Sequence, residues 1–240
     1  MTPLNPARQA VLDRIRAATG SATPVEPARV EPAPLEISEA LATLRAALPR
    51  NYIRKPSLDR EAILALLTER LHEYDAEVVE CTPDRLPETI AAQLLSARLP
   101  ASKHASFIVP PGLPSAWLDV ARTHSEFTLI PDHDLPTDQV ENAAGVITAS
   151  FCAVADSGTI ALHHSAAEGR RLITLLPDWF LCILHASQVV QTLPEYFDRC
   201  PTRPRLVTWI SGPSATADIE MTRIKGVHGP RFLHVLLVRD

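Results

Sequence analysis

The stretch 76-AEVVECTPDRLPETIAAQLLSARLPASKHASFIVPP-111 decides the fold class of this chain. It opens with a valine-rich run (76–82), which is typical of a β-strand. The run LPETIAAQLLSARL then has the apolar spacing that predicts a helix, and SFIVPP (106–111) predicts a second strand. A strand, a helix and a strand in succession indicate a βαβ unit, so we expect two parallel strands here.

The same alternation continues as far as residue 150. SAWLDVART predicts a helix, FTLIP a strand, LPTDQVENAA a helix, and GVITAS (145–150) another strand. Upstream, residues 37–47 and SLDREAILALLTERLHEY predict helices, the second of them capped by Ser57. This order predicts an α/β fold with a mainly parallel wound sheet, preceded by N-terminal helices.

The first 35 residues form a separate predicted region. Residues 5–19 fit a short amphipathic helix, and the prolines of SATPVEPARVEPAP predict an extended linker after it. We therefore predict an N-terminal helix with a proline-rich linker at 1–35 and an α/β domain at 36–240. The sequence leaves open whether that first helix docks a partner or folds back on its own domain.

The composition excludes several classes of function. A net charge of −5 without a basic block argues against nucleic acid as a partner. No apolar run reaches the roughly 18 residues that predict a membrane span, and the N-terminus lacks the apolar core of a signal peptide. The cysteines have no metal-ligand spacing, so we expect no metal site, and reduced thiols in the cytoplasm. They are Cys81, Cys152, Cys182 and Cys200.

The half of the chain after residue 150 has a different pattern. TIALHH, RLITLLP, WFLCIL, PRLVTWIS and FLHVLLV predict strands, whereas HASQVVQTLPEYF and the residues after Pro213 predict helices. His163 and His164 fit a strand edge, with one side chain toward the core and the other toward solvent. Six of the eight glycines lie from Gly145 onward, so special turns concentrate in this half.

The stretch 155-ADSGT-159 is the first candidate for a binding loop. Gly158 permits a positive φ, so consecutive N–H groups are able to point at one anion or carbonyl oxygen. Asp156 opens the turn, and Ser157 and Thr159 add hydroxyl groups. An ordinary β-turn between two strands explains the same residues.

A pair of arginines is the second candidate. Arg170 and Arg171 in 168-EGRRLITLLP-177 precede a predicted strand. Either guanidinium is able to clamp a carboxylate or phosphate through two parallel hydrogen bonds. A solvated surface pair is the alternative.

The glycine-rich tail 211-SGPSATADIEMTRIKGVHGPR-231 is the third candidate. A strand enters it and a helix capped by Ser214 or Thr216 is predicted to follow, which would make an anion site at the helix N-terminus. His228 is a candidate general acid or base, or else a turn cap. Asp218 is the other candidate catalytic residue. The remaining candidate ligand-binding residues of this stretch are Gly212, Pro213, Ser214, Thr216, Glu220, Gly226, Gly229 and Arg231.

Four motifs in this order, A-D-S-G-T, R-R-L-I-T-L-L-P, G-P-S-A-T-A-D-I-E and G-V-H-G-P-R, resemble the LUD domain of the lactate-utilisation protein C family. The resemblance implies the three-layer α/β/α fold shared with ribose-5-phosphate isomerase and CoA transferases. It also implies a role in oxidising L-lactate to pyruvate beside two iron–sulfur subunits, this chain holding no cluster. Ser157 stands where the family usually has Thr, and Ala215 where a basic residue is common.

Three functions compete at this point. The first is a subunit of a lactate-oxidising complex. The second is a stand-alone isomerase, transferase or cyclo-ligase that binds a phosphorylated, CoA or nucleotide ligand. The third is a non-catalytic scaffold. We expect Gly212, Ser214, Thr216, Asp218 and His228 to line one cleft with Thr159, at the C-terminal edge of a sheet.

Overall fold

The computed structural model describes positions 10, 11, 13–15 and 17, and then residues 39–49, 51, 56–97, 104–200, 202, 204–216, 224–225 and 229–239. The chain divides into two compact units, Met1–Asn51 and Tyr52–Asp240. The predicted boundary between 35 and 36 stays a prediction. In the first unit, the described positions from 10 to 17 are helical, as the sequence predicts. No helix among the described residues has the length and apolar character needed to cross a bilayer.

The elements follow the predicted alternation through the first half of the chain, except that SAWLDVART forms two short 3₁₀ helices in place of one helix. The helices are α1 (Glu39–Ala47), α2 (Arg60–Glu73), α3 (Leu86–Ser96), α4 (Thr137–Asn142), α5 (Arg171–Leu175) and α6 (Leu193–Asp198). The strands are β1 (Glu77–Cys81), β2 (His104–Val109), β3 (Thr128–Pro131), β4 (Ala143–Ala149), β5 (Cys152–Val154), β6 (Thr159–Leu162), β7 (Trp179–His185), β8 (Val189–Val190), β9 (Thr208–Ile210), β10 (Ala215–Thr216), β11 (Ile224–Lys225) and β12 (Phe232–Val238). Short 3₁₀ helices lie at Pro83–Arg85, Ser115–Leu118, Ala121–Thr123, Ala155–Ser157 and Ala186–Gln188.

The main sheet has six strands in the order β1-β12-β7-β4-β2-β3, and every neighbouring pair is parallel. The predicted mainly parallel α/β class is therefore confirmed. A second sheet has the order β8-β5-β6-β9, and β10 pairs with β11 in an antiparallel ribbon.

Both faces of the main sheet are covered, which makes the domain three layers deep. Along β7 successive side chains enter opposite cores, so that Phe180 packs on one face and Leu181 on the other. α2 and the second sheet cover the first face, and α3 covers the second. Because both faces of the central strands β4, β7 and β12 are covered, these strands read as nearly continuous apolar runs, whereas the edge strands β1 and β3 are partly exposed.

The structure corrects four further local predictions. RLITLLP is not a strand: it forms α5, and a short apolar run of this kind does not separate the two states by its period. HASQVVQTLPEYF is helical only at its ends, since Val189–Val190 pair with β5 in the second sheet. Asp59, not Ser57, caps α2, because its carboxylate accepts from Ala62 N at 2.9 Å. The predicted helix capped by Ser214 does not form, since Ala215–Thr216 form β10 instead; a helix capped by Thr216 would lie at 217–223, outside the described residues.

Candidate functional site

The 155–159 turn has the predicted conformation and a packing role as well. Ala155–Ser157 form a 3₁₀ turn, and Gly158 follows at φ +60°. A Cβ on Gly158 would lie 2.7 Å from Cβ of Arg70, so the turn presses directly on α2. The backbone N–H of Asp156 donates to Gln191 O and that of Gly158 to Ala155 O. These two amides are thus used internally and are not available to a ligand.

A chain of three hydroxyls joins this turn to the glycine-rich tail. Ser157 Oγ donates to Thr159 Oγ1 at 2.8 Å, and Thr159 Oγ1 lies 2.7 Å from Ser211 Oγ. Thr159 is buried, whereas Ser157 and Ser211 are exposed. The prediction that the two motifs face each other is confirmed at this contact.

These hydroxyls line a cavity of about 730 Å³, which we call the Trp209 cleft. Sequence reasoning found three of its residues, Asp156, Ser157 and Thr159, but missed its apolar wall. The full lining is Val154, Asp156, Ser157, Thr159, Thr192, Leu193, Pro194, Phe197, Trp209 and Ser211. The wall comes from α6 and β9, which both lie well downstream of the 155–159 turn in sequence, so no local pattern around the turn pointed to it.

Gly212 explains why the tail bends where it does. Its φ is +82°, and a Cβ would lie 2.4 Å from Cβ of Tyr74, at the end of α2. Downstream, Ser214 N donates to Pro230 O at 2.8 Å, which links the two predicted turns, and Gly229 lies against the Ser214 side chain. Pro230 lies two residues before β12, so this part of the tail lies at the amino edge of the main sheet. The predicted C-terminal edge therefore does not hold for the main sheet, because the tail returns to the start of its strand β12. In the second sheet, however, the 155–159 turn and Ser211 follow the carboxyl ends of β5 and β9.

Arg231 also lies at the amino edge. Its guanidinium donates to the carboxylate of Asp178 at 2.6 and 3.1 Å. Asp178 and Arg231 stand immediately before β7 and β12, two neighbouring strands. The pair therefore joins the starts of these strands.

Arg170 lies at the opposite, carboxyl edge of the main sheet. It donates to both carboxylate oxygens of Asp132, at 2.8 and 2.9 Å, and to Leu135 O. The Asp132 side chain is only 4% exposed, and this hydrogen-bonded carboxylate raises the pKa of Arg170. Arg171, the first residue of α5, is exposed.

Arg170 lines a second, smaller cavity at this edge. Its volume is about 240 Å³, and its lining is Pro111, Asp132, Asp134, His164, Ser165, Ala166, Gly169 and Arg170. The loop that follows β6 crosses the ends of β2 and β4. Its Ala166 O accepts a hydrogen bond from Gly112 N, after β2, and its Ala167 O accepts one from Ala149 N, at the end of β4. The crossing falls between the two strands at which the order of the sheet reverses.

The two adjacent histidines are both hydrogen-bonded and half-buried, which corrects the predicted strand-edge pair. β6 ends at Leu162, before either of them. His163 stacks on Phe151 at 3.7 Å, and its Nε2 lies 2.7 Å from Tyr196 OH. Burial lowers the pKa of His163, with the carboxylate of Glu168 opposing that shift. His164, at φ +56°, is hydrogen-bonded through its ring to Gly169 O and Thr208 Oγ1.

The cysteines include two deeply buried thiols. Burial raises the pKa of Cys152 to about 11 and that of Cys182 to about 12. Thiols with such pKa values are poor nucleophiles at neutral pH. Over the ranges that the structure covers, no three His, Cys, Asp or Glu side chains are grouped as metal ligands.

Several predicted site residues lie outside the described residues. They are Asp218, Glu220, Gly226 and His228. Thr216 belongs to β10, but its side chain is not described. Gly212 and Pro213 are half-buried, and Ala215 is exposed. The grouping of Asp218 and His228 with Thr159 therefore stays a prediction.

The fold and these turns together define an α/β protein whose second, smaller sheet carries a ligand-sized cleft. The family model of the LUD domain matches residues 59–238. The chain belongs to the LUD domain family, among the proteins called lactate utilization protein C.

Similar proteins cover most of the chain. A lactate utilization protein C from Deinococcus radiodurans is 36% identical over 84% of this chain and 92% of its own. Lactate utilization protein C 1 from Bacillus mycoides is 27% identical over 76% and 82%. A crystal structure of a DUF162 family protein from Deinococcus radiodurans is 30% identical with a TM-score of 0.60, covering 75% of this chain and 99% of that one.

Proposed function

We propose that this protein serves in lactate utilization. The observation that carries the proposal is the 36% identity to a lactate utilization protein C, which extends over 84% of the chain. The match covers nearly the whole relative, so it is not a single shared motif. The four motifs that suggested this role lie inside the matched LUD domain, at residues 59–238.

Our proposal includes a division of labour with two iron–sulfur subunits. Oxidation of L-lactate to pyruvate releases two electrons and two protons, which a carrier must accept. The cysteines of this chain are far apart in sequence, without the spacing that holds a cluster. We therefore assign electron transfer to partner subunits, and substrate binding or assembly to this chain. Free thiols suit the cytoplasm as the proposed compartment.

The competing role in phosphoryl, CoA or nucleotide chemistry receives less support. Such ligands need cations, and the two best placed arginines, Arg170 and Arg231, are each bound to an internal carboxylate. Among the described residues that line the Trp209 cleft there is no Lys or Arg. The lactate proposal is therefore the one that we retain.

Reconstitution tests this proposal directly. The protein is mixed with the two proposed iron–sulfur subunits, and L-lactate-dependent dye reduction and pyruvate formation are measured. We expect activity and co-elution only when all components are present, with D-lactate as a substrate control. A rate that is unchanged when this chain is omitted, together with no co-elution, would refute the proposal.

A further inference from the structure

We propose that the Trp209 cleft binds an uncharged ring–polyol ligand: a planar ring that carries a carbonyl group, attached to a hydroxylated tail without phosphate. Nucleosides and riboflavin belong to this chemical class. The inference rests on the cleft alone and is independent of the role in lactate utilization.

The wall of the cleft consists of apolar and aromatic side chains that suit a planar ring. Trp209, Phe197 and Leu193 are 42%, 55% and 46% exposed, yet they surround one cavity. Single exposed apolar side chains are ordinary, but a concave group of them marks a binding site. Trp209 packs on Tyr196 with ring centroids 4.6 Å apart. Tyr196 is 2% exposed and hydrogen-bonded to His163, so Trp209 is held in place before a ligand arrives.

The hydroxyl chain points a donor into the cleft. Each hydroxyl has one hydrogen to give, and Ser157 gives its own to Thr159. Either hydroxyl is able to donate across the 2.7 Å contact between Thr159 and Ser211. We assign the donor role to Thr159, because its other acceptor, Ser157 O, lies farther away at 3.4 Å. In this arrangement the hydrogen of Ser211 is left for a ligand. A carbonyl oxygen on the ring is the acceptor that fits it.

The charge of the cleft favours a tail without phosphate. Asp156 is exposed in the lining and is the one ionisable group among the described residues there. A carboxylate accepts hydrogen bonds from the hydroxyls of a polyol and repels a phosphate. The volume of about 730 Å³ lies in the range of small-molecule sites.

Two matched ligand pairs test the proposal by titration calorimetry on the full chain. Riboflavin is compared with flavin mononucleotide, and uridine with uridine monophosphate, at low ionic strength. We expect each phosphorylated form to bind at least about fivefold more weakly, because a doubly charged phosphate meets one carboxylate at close range. Asp156→Asn should remove most of that difference, and it changes an exposed side chain, so folding is preserved.

Variants of the wall and of the hydroxyl chain separate binding from stability. Trp209→Ala should weaken both riboflavin and uridine on the order of tenfold, as loss of stacking does. Ser211→Ala should weaken binding several-fold through one lost hydrogen bond. Trp117→Phe, in a different core region, is the control that should leave affinity unchanged. Thermal melting checks folding, and Trp209→Phe replaces the alanine variant if the latter unfolds.

Three results would overturn the proposal: tighter binding of the phosphorylated forms, no binding of any ring, or equal affinity in wild type and the Trp209 variants. If no ring binds but Trp209→Ala abolishes co-elution with the iron–sulfur subunits, the cleft is a protein interface and the ligand assignment is wrong.

Discussion

Gly212→Ala should destabilise the domain because it adds backbone strain and steric crowding at the same position. The φ of Gly212 is +82°, and an L-residue in the left-handed region costs about 1–2 kcal/mol. A Cβ there would also lie 2.4 Å from Cβ and 3.0 Å from O of Tyr74. Relieving such crowding costs about 1–3 kcal/mol more. Alanine returns about 0.4–1 kcal/mol by restricting the unfolded chain, so the expected net loss is about 2–4 kcal/mol.

Gly229→Ala is the matched control in the same tail. Its φ is not in the left-handed region, and the nearest atoms to a Cβ, both on Ser214, are 3.4 and 3.8 Å away. That spacing permits a methyl group, so the free energy of unfolding should change by less than about 1 kcal/mol. The two variants therefore differ in backbone geometry and not in chemistry.

Calorimetry and urea unfolding measure the difference. For a chain of this size the Tm falls about 2–4 °C per kcal/mol, so Gly212→Ala should melt roughly 5–15 °C below wild type. Gly229→Ala should stay within a few degrees. Equal melting temperatures for the two variants would refute the packing account of Gly212. A large loss in Gly229→Ala would likewise show that the tail is constrained in another way.

The remaining predictions concern ion pairs, protonation and thiols. Asp132→Asn should cost about 1–3 kcal/mol in urea unfolding, because it removes the buried partner of a partly exposed arginine; Asp178→Asn, at the more exposed pair, should cost less. Burial holds the pKa of His163 below its ordinary value of 6.5, so below about pH 6.5 the unfolded chain binds more protons than the folded one, and the free energy of unfolding should fall with the pH. His163→Gln should make this pH dependence weaker. An unchanged pH dependence would show that His163 is not its source. Iodoacetamide mapping at pH 8 should label Cys152 and Cys182 only after unfolding, and rapid labelling in the native protein would contradict their burial.

The secondary structure of the first half of the chain could largely be predicted from the sequence, for a physical reason. Between residues 76 and 150 each element is a separate run bounded by turn residues, and the pattern of β2 or α3 depends on local spacing alone. The second half is harder because its strands are short. Val189–Val190 is two residues long and exists only because β5 lies beside it. No local pattern encodes such a partner.

The candidate site was predictable in part. Glycine, serine and threonine at 155–159 have a backbone requirement that is visible in the sequence, and the structure has the expected turn there. Trp209 and Phe197 gave no such signal, because a strand tryptophan and a helix phenylalanine look like ordinary core residues. The exposure of Trp209 follows from β9 being an edge strand of the second sheet, which is a property of the topology.

The glycines of the two motifs now have a common explanation, which is contact with α2. Gly158 meets Arg70 and Gly212 meets Tyr74, one turn further along the same helix. Both turns pack against this one helix, so the residues next to the two glycines lie close together. The hydroxyl oxygens of Thr159 and Ser211 are 2.7 Å apart. The two glycines therefore have a structural role and also position the candidate site. The glycines shape the backbone, and that backbone places the hydroxyl chain at the mouth of the Trp209 cleft, so a glycine variant should loosen ligand binding even where the domain remains folded.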